Sequence, residues 1–378
     1  MLYPYKYIPH EIEKMQEFID FIFFEVWCKA PEGKPFSLEL FATNAELCKV
    51  IEIFYFTDLE YTDNKDKYKT QPTASKFYVK TLNIYSLFSA LNKRQINQFK
   101  QWYKANNNIE KVCANDPSIH ILRYSDIKAA YPDLSKHLAS FFKELYANEL
   151  LSLAAWREKI GEVDNHYRKF MNTNRSHICP FCGISIMLSI YHSKREAYDH
   201  YLPKGIYPFN SINFRNLVPA CHHCNSNYKL SQDPAFKPKD PVGISRRRKL
   251  FYPYSASIDK IEVSIDLSGL DDLNKLDDKH LEPSDIKLSF GPTTINEEIE
   301  SWKDIYGIEE RYVAQCCGSA KYWLEEMRIA CERNGTEPKD ELDEKRELFE
   351  KYPLQDSNFL RVAFLEGCYR IGIWNSSL

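Results

Sequence analysis

The stretch that decides how the middle of this chain folds is NFRNLVPACHHCNSNYK, residues 213–229. It contains Cys221 and Cys224, and a second cysteine pair with the same spacing, Cys179 and Cys182, lies in CPFCG with 38 residues between the two pairs. A C-x2-C turn lets two thiolates reach one metal ion, and two such turns complete the tetrahedral all-sulfur site that suits zinc. The sequence therefore predicts a closed structural zinc site that contributes to folding.

Two other interpretations of these cysteines compete with zinc binding, namely a redox-active C-x2-C motif and chance. A thioredoxin-like motif needs only one pair, and two pairs around one basic segment argue against chance. His222 or His223 replacing one cysteine as a ligand stays an alternative. The remaining cysteines are expected to be ordinary thiols: Cys28, Cys48, Cys113, Cys316, Cys317, Cys331 and Cys368.

A second group of chemically suggestive residues lies between and beside the cysteine pairs. The segment AYDHYLPKGIYPF, residues 197–209, places Asp199 next to His200, and Asn225 directly follows Cys224. A histidine is a good general base near neutral pH, and carboxylate and amide oxygens are ligands that Mg²⁺ prefers. Taken singly, however, such a histidine is more often structural and such an aspartate more often belongs to a turn. Asn227 is a nearby alternative to Asn225.

Four motifs follow one another within residues 177–230: C-x2-C, Asp-His, Asn-Leu-Val-Pro and C-x2-C-Asn. In this order they resemble the HNH endonuclease family, in the zinc-stapled, four-cysteine branch of the ββα-metal nucleases. The longer sequence pattern DHYLPK…NFRNLVPACHHCN is also similar to that of bacterial anti-phage-type HNH proteins. Some of these proteins are encoded beside ATPases. The resemblance implies that His200 is the general base and that Asp199 and Asn225 hold a catalytic Mg²⁺ or Mn²⁺ ion. It also implies that Asn216 orients the base through hydrogen bonds. Histidine is common in the family at the position of Asn225, and asparagine is a variant there.

The charge distribution supports a nucleic-acid partner. The 378-residue chain has a formal net charge of −3, yet residues 165–250 contain 14 lysines and arginines against four acidic residues. A basic segment of this kind inside an acidic chain indicates a surface for a polyanion, although a solvated charge run is the simpler alternative. We expect Lys204, Arg215 and Lys229 to contact phosphate groups. For each of them, a role in keeping the surface soluble is an equal alternative. The resemblance favours DNA over RNA.

These patterns predict an α+β fold with a central ββα-metal HNH module stapled by zinc. Residues 1–130 are expected to form a mixed α/β region of unknown role, with strands at VIEIFYF and KFYVKTL, and residues 131–176 a helical connector. The nuclease module with its basic extension is placed at 177–250. Residues 251–378 are expected to be mostly helical, with strands at KIEVSIDL and DIKLSF.

The predicted function is a metal-dependent endonuclease that nicks DNA or cuts both strands, as the effector of a bacterial anti-phage system. Partners would be nucleic acid, an ATPase or regulatory protein and a second copy of the chain, with no membrane. A cytoplasmic location is expected because the start lacks a signal-peptide pattern and FIDFIFFEVW is too short and acidic to span a bilayer. Two alternatives stay open: a catalytically silent, zinc-stapled nucleic-acid-binding module, and a partner-controlled toxin or effector subunit acting on RNA.

Overall fold

The computed structural model describes residues 1–175, 177–256, 259–270, 276 and 281–373, and these residues are mostly helical. In this part of the chain the α-helices are α1 (Lys14–Phe21), α2 (Ala45–Asp63), α3 (Thr73–Ser89), α4 (Lys93–Asn107), α5 (Ile109–Cys113), α6 (Tyr124–Ala130), α7 (Pro132–Leu145), α8 (Asn148–Leu151), α9 (Ala154–Ile160), α10 (Val163–Asn174), α11 (Asn296–Tyr306), α12 (Ile308–Asn334), α13 (Pro338–Lys351) and α14 (Asn358–Arg370).

The strands of the described residues form two antiparallel pairs. Strand β1 (Tyr198–His200) pairs with β2 (Leu217–Pro219), and β3 (Glu262–Asp266) pairs with β4 (Lys287–Gly291). In the first pair Asp199 lies opposite Val218. A short helix, His223–Lys229, begins four residues after β2 and contains Cys224, whereas Cys221 lies just before it.

The predicted α+β fold class is wrong. The described chain is dominated by helices, its strands occur only as two separate two-stranded pairs, and no central ββα module organises it. The mixed α/β prediction for residues 1–130 fails for the same reason, because VIEIFYF lies within α2 and KFYVKTL within α3.

The helical outcome at these two segments follows from the spacing of the apolar side chains. In α2 the buried residues Leu47, Val50, Ile51 and Phe54 recur at intervals of three and four, which places them on one helical face. The side chain of Asn44 accepts a hydrogen bond from the Leu47 amide and so caps the start of this helix. Helix α2 packs on α3, and this burial outweighs the β propensity of valine, isoleucine and the aromatic residues.

Other element predictions are confirmed. Residues 131–176 contain helices α7 to α10, KIEVSIDL contains β3, DIKLSF overlaps β4, and the region after residue 295 contains α11 to α14. One hydrophobic core connects these regions with the cysteine segment. Trp302 Nε1, for example, donates to the Phe181 carbonyl at 2.6 Å, and the Tyr5 hydroxyl donates to the Pro219 carbonyl at 3.1 Å. Among the described residues, none of the helices is both long enough and apolar enough to cross a membrane.

Candidate functional site

The four cysteines predicted to bind zinc come together in the structure. The sulfur atoms of Cys179, Cys182, Cys221 and Cys224 all lie within 4.8 Å of one another, and all four residues are buried. The Sγ atoms of Cys179 and Cys224 are 3.9 Å apart, close to the roughly 3.8 Å that a tetrahedral site with Zn–S bonds of about 2.3 Å requires. The cluster therefore fits a zinc ion. His222 and His223 are exposed and lie outside the cluster.

The first cysteine pair is shaped by a tight turn that requires glycine. The Gly183 amide donates to the Cys179 carbonyl at 2.7 Å, and Gly183 has a φ of +72°. A Cβ atom at this position would lie 2.3 Å from the Leu2 side chain and 2.8 Å from the Phe359 ring, so a larger residue would be both strained and crowded. The turn thus directs both thiols inward while packing against Leu2 and against Phe359 of α14.

Arg311 of helix α12 lies directly against the cysteine cluster. Its Nη1 donates to the Cys224 sulfur at 3.2 Å, and its Nη2 donates to the Ser185 hydroxyl at 3.1 Å. The guanidinium also lies 4.9 Å from the centroid of the Tyr228 ring. Because four thiolates around Zn²⁺ carry a net charge of −2, this buried arginine offsets part of that charge. The sequence contains no spacing signal that could have indicated this contact.

Asp199, predicted as a metal ligand, is almost fully buried and forms an ion pair with a lysine. The Lys229 ammonium donates to Asp199 Oδ1 at 2.7 Å and to the His200 carbonyl at 2.7 Å. The second oxygen, Oδ2, is buried without a hydrogen-bond partner. Burial raises the pKa of the Asp199 carboxyl, whereas the charge and hydrogen bond of Lys229 act in the opposite direction. The carboxylate is thus already compensated by a cation of the chain itself.

The predicted Mg²⁺ or Mn²⁺ site does not assemble in this conformation. Mg²⁺ keeps several water ligands and needs hydrated space around its carboxylate. Asp199 is only 3% exposed and is paired with Lys229. Asn225 is half-buried, and among the described residues no hydrogen bond joins its side chain to Asp199. In this conformation Asp199 and Asn225 therefore do not fit a hydrated divalent ion.

His200 occupies a different setting from its neighbour, because successive side chains of a strand point to opposite faces. Its Nε2 lies 2.9 Å from the Ser211 carbonyl oxygen. A carbonyl can only accept, so Nε2 carries the hydrogen and Nδ1 keeps its lone pair. Burial, together with the charges of Lys204 and Lys229, lowers the pKa of the His200 imidazole to about 3, although the Ser211 hydrogen bond acts in the opposite direction. The imidazole is therefore neutral at physiological pH.

Asn216 hydrogen-bonds to the loop that follows β1. It is fully buried, its Oδ1 accepts from the Leu202 amide at 2.7 Å, and its Nδ2 donates to the carbonyls of Leu202 at 3.0 Å and Asn210 at 3.3 Å. Asn210 directly precedes Ser211, whose carbonyl accepts from His200. Asn216 thus fixes the segment that orients the imidazole.

Tyr146 is a neighbour of His200 that the sequence reasoning missed. It follows the end of α7, and its ring packs edge-on against the imidazole with 4.9 Å between centroids. The Lys204 ammonium lies 5.7 Å from the centroid of the same ring. Nothing in the sequence distinguishes this tyrosine from the other 24 in the chain, because only tertiary packing brings the connector to the end of β1.

The three basic residues predicted to contact phosphate lie in different surroundings. Lys204 is half-buried beside Tyr146 and His200. Arg215 is exposed and stacks on the Tyr7 ring at 4.2 Å, where it lines a cavity that also contains carboxylates of the N-terminal region. Lys229 is fully buried and holds Asp199, so it does not face solvent. Of the three, Lys204 is the one that the structure brings next to the histidine.

These features define a protein with a zinc-competent four-cysteine centre and a fixed neutral histidine beside a lysine. A stretch of 87 residues, 22% of the chain, is 28% identical to the Septu protein PtuB of Bacillus thuringiensis, and this match spans 34% of that relative's length. No protein-family model matches the chain. No solved structure matches it significantly.

Proposed function

We propose that this protein is an endonuclease that hydrolyses phosphodiester bonds with His200 as its general base. The observation that carries the proposal is the hydrogen bond from Nε2 to the Ser211 carbonyl, which leaves Nδ1 free to accept a proton. The negative charge of a bound phosphate would raise the low pKa of this imidazole and so strengthen the base. In the reaction, Nδ1 takes a proton from water while the water oxygen attacks phosphorus and the bond to the leaving oxygen breaks. The leaving oxygen keeps the electron pair of that bond and takes a proton from solvent water. The nearby Lys204 ammonium is placed to offset negative charge that develops on the phosphate.

The surroundings of His200 support a positioned base. Asn216 fixes the loop that presents the Ser211 carbonyl, and Tyr146 packs edge-on against the ring. Rigid placement matters because proton transfer requires hydrogen-bonding distance and alignment. The four-cysteine centre, loaded with zinc, would hold β1, β2 and the short helix together around this histidine.

We further propose a role in defence against phage, with DNA as the substrate. Two findings support it: the match to the Septu protein PtuB, and the resemblance of DHYLPK…NFRNLVPACHHCN to anti-phage-type HNH proteins. The same resemblance suggests that an ATPase or another regulatory protein works with this chain. Activity is therefore best measured with and without proteins that co-purify with it.

The test compares the wild type, His200→Ala and a matched control, His120→Ala, which removes an exposed histidine. Each protein is incubated with supercoiled plasmid, linear DNA and RNA, in Mg²⁺, in Mn²⁺ and without added metal. We expect the wild type and His120→Ala to nick the plasmid and His200→Ala to be slower by about 100-fold or more. Equal rates for His200→Ala and the wild type would contradict the assignment of the base.

One observation favours a second candidate, a nucleic-acid-binding module without catalysis. Asp199 is buried and neutralised by Lys229, which leaves no hydrated carboxylate for a catalytic metal ion. This candidate predicts that the wild type binds nucleic acid but leaves plasmid, linear DNA and RNA intact under every metal and partner condition. Cleavage of RNA alone would instead support the RNA-directed effector.

A further inference from the structure

We propose that the loop formed by residues 186–195, together with Arg168 of α10, is a docking surface for a nucleic-acid strand. This loop lies in the insert between the two cysteine pairs and leads into β1. The inference rests on the proposed function, because it names how the substrate of that site is held. It adds residues that no sequence motif had indicated.

The most prominent feature of the loop is Tyr191, whose side chain is 90% exposed. Ile186, at the start of the loop, is 75% exposed. An aromatic ring without packing partners is a stacking platform for a base, and such stacking works with any sequence because every base has a π-face. A stacking role accounts for a large apolar ring that contributes nothing to the core.

The loop is held in shape by local hydrogen bonds. The Ser189 amide donates to Nδ1 of His192 at 2.9 Å, and the Leu188 amide donates to the Glu196 carboxylate at 3.1 Å. The Tyr191 amide is also 3.4 Å from the Ser189 hydroxyl. These bonds present the tyrosine ring from an ordered turn, so less conformational freedom is lost when a base stacks on it.

The charges around the loop fit a phosphate backbone. Arg168, Lys194 and Arg195 line one cavity, whose only carboxylate among the described lining residues is that of Asp164. Arg195 Nε donates to that carboxylate at 2.5 Å and neutralises it. Arg168 and Lys194 are exposed, and neither has an acidic partner among the described residues. These two cations line a cavity together with Ile190 and His192, the chain neighbours of the exposed Tyr191, and so match a strand with regularly spaced negative charges.

Arg195 connects the docking surface with the neighbours of His200. The Arg195 guanidinium lies 5.7 Å from the centroid of the Tyr198 ring in β1. Its charge also acts on the phenol of Tyr146, because Arg195 opposes the rise that burial causes in the pKa of that group. Tyr146 in turn packs against His200. A strand stacked on Tyr191 and passing over Arg195 would thus approach His200.

The occupant that these features select is single-stranded nucleic acid. Stacking on Tyr191 requires an unpaired base, whereas the bases of an intact duplex are already stacked on each other. The cations recognise the phosphates, which single and double strands share. We therefore expect single-stranded DNA to bind more tightly than a duplex of the same sequence.

Binding is measured by fluorescence anisotropy with a labelled single-stranded oligonucleotide over a series of salt concentrations. All proteins carry His200→Ala, so that cleavage does not disturb the measurement. The test variants are Tyr191→Ala and the double variant Arg168→Gln/Lys194→Gln. The controls are Tyr322→Ala, which removes a tyrosine that is 66% exposed on α12, and Lys93→Gln/Arg94→Gln on α4. Matching melting temperatures establish that all variants are folded.

We expect Tyr191→Ala to weaken binding about tenfold without changing the salt dependence. The double variant should lower the slope of log K against log salt by about 1.4, which corresponds to two lost phosphate contacts on a single strand. Both controls should bind like the parent. Unchanged binding by both test variants overturns the docking inference.

The outcome separates this inference from the proposed function. If the protein with His200 intact cleaves plasmid while the loop variants bind normally, the docking surface is wrong and the nuclease stands. If the protein with His200 intact cleaves nothing while the loop variants lose binding, the docking surface stands and the proposed nuclease activity is wrong.

Discussion

Replacing Lys229 by methionine removes the ammonium group that compensates Asp199 inside the protein. The two side chains are 1% and 4% exposed, and Nζ lies 2.7 Å from Oδ1. Methionine keeps most of the volume of lysine but leaves a buried carboxylate whose Oδ2 already lacks a partner. Breaking a buried ion pair on one side costs about 3–5 kcal/mol. A loss of this size is a large part of the roughly 5–15 kcal/mol by which a folded protein is stable.

The free energy of unfolding is measured by urea denaturation, followed by tryptophan fluorescence and circular dichroism. The double variant Asp199→Asn/Lys229→Met removes both charges and should recover most of the stability lost in Lys229→Met, since a neutral pair needs no counter-charge. The matched control is Lys29→Met, which breaks an exposed pair with Glu25. This control should change stability by about 0.5 kcal/mol or less.

The reasoning is refuted if Lys229→Met is within about 1 kcal/mol of the wild type, which is below the range for a buried pair. Such a result would mean that Asp199 is solvated in solution and free to take other partners. The same samples then test the ion predicted from the sequence: if Asp199 is a metal ligand, Mg²⁺ should stabilise Lys229→Met more than it stabilises the wild type.

Three further predictions concern the cysteine centre and His200. Cys182→Ser should lose bound zinc and melt at a lower temperature, as metal analysis and thermal unfolding will show; full zinc occupancy in this variant would contradict a four-sulfur site. Arg311→Met should weaken zinc retention against a chromogenic chelator by about 10-fold or more, whereas Arg333→Met, at the exposed end of the same helix, should not. The pKa of His200 falls from 6.5 to about 3 on folding, so the unfolded chain binds the proton more readily between these values. Wild-type stability should therefore drop more than that of His200→Gln as pH falls from 7 to 4, and parallel stability curves would contradict the low pKa.

Local spacing predicted some features well. Each C-x2-C pair builds its half of the sulfur cluster within one turn, so its geometry depends on few residues and Gly183. The helices after residue 295 and strands β3 and β4 were likewise visible as patterns in the sequence. In α2 and α3, by contrast, the composition suggested strands. The packing of the two helices against each other decided the outcome there.

The sequence by itself determined that four cysteines can meet and that an Asp-His pair lies between them, because these facts depend on spacing along the chain. Only the tertiary structure decided what each group of the pair faces. Asp199 is turned towards Lys229 in the interior, whereas His200 is held by Ser211 beside Tyr146. The physical reason is that ion pairing and desolvation are set by neighbours distant in sequence, which come together only when the helices pack around one core.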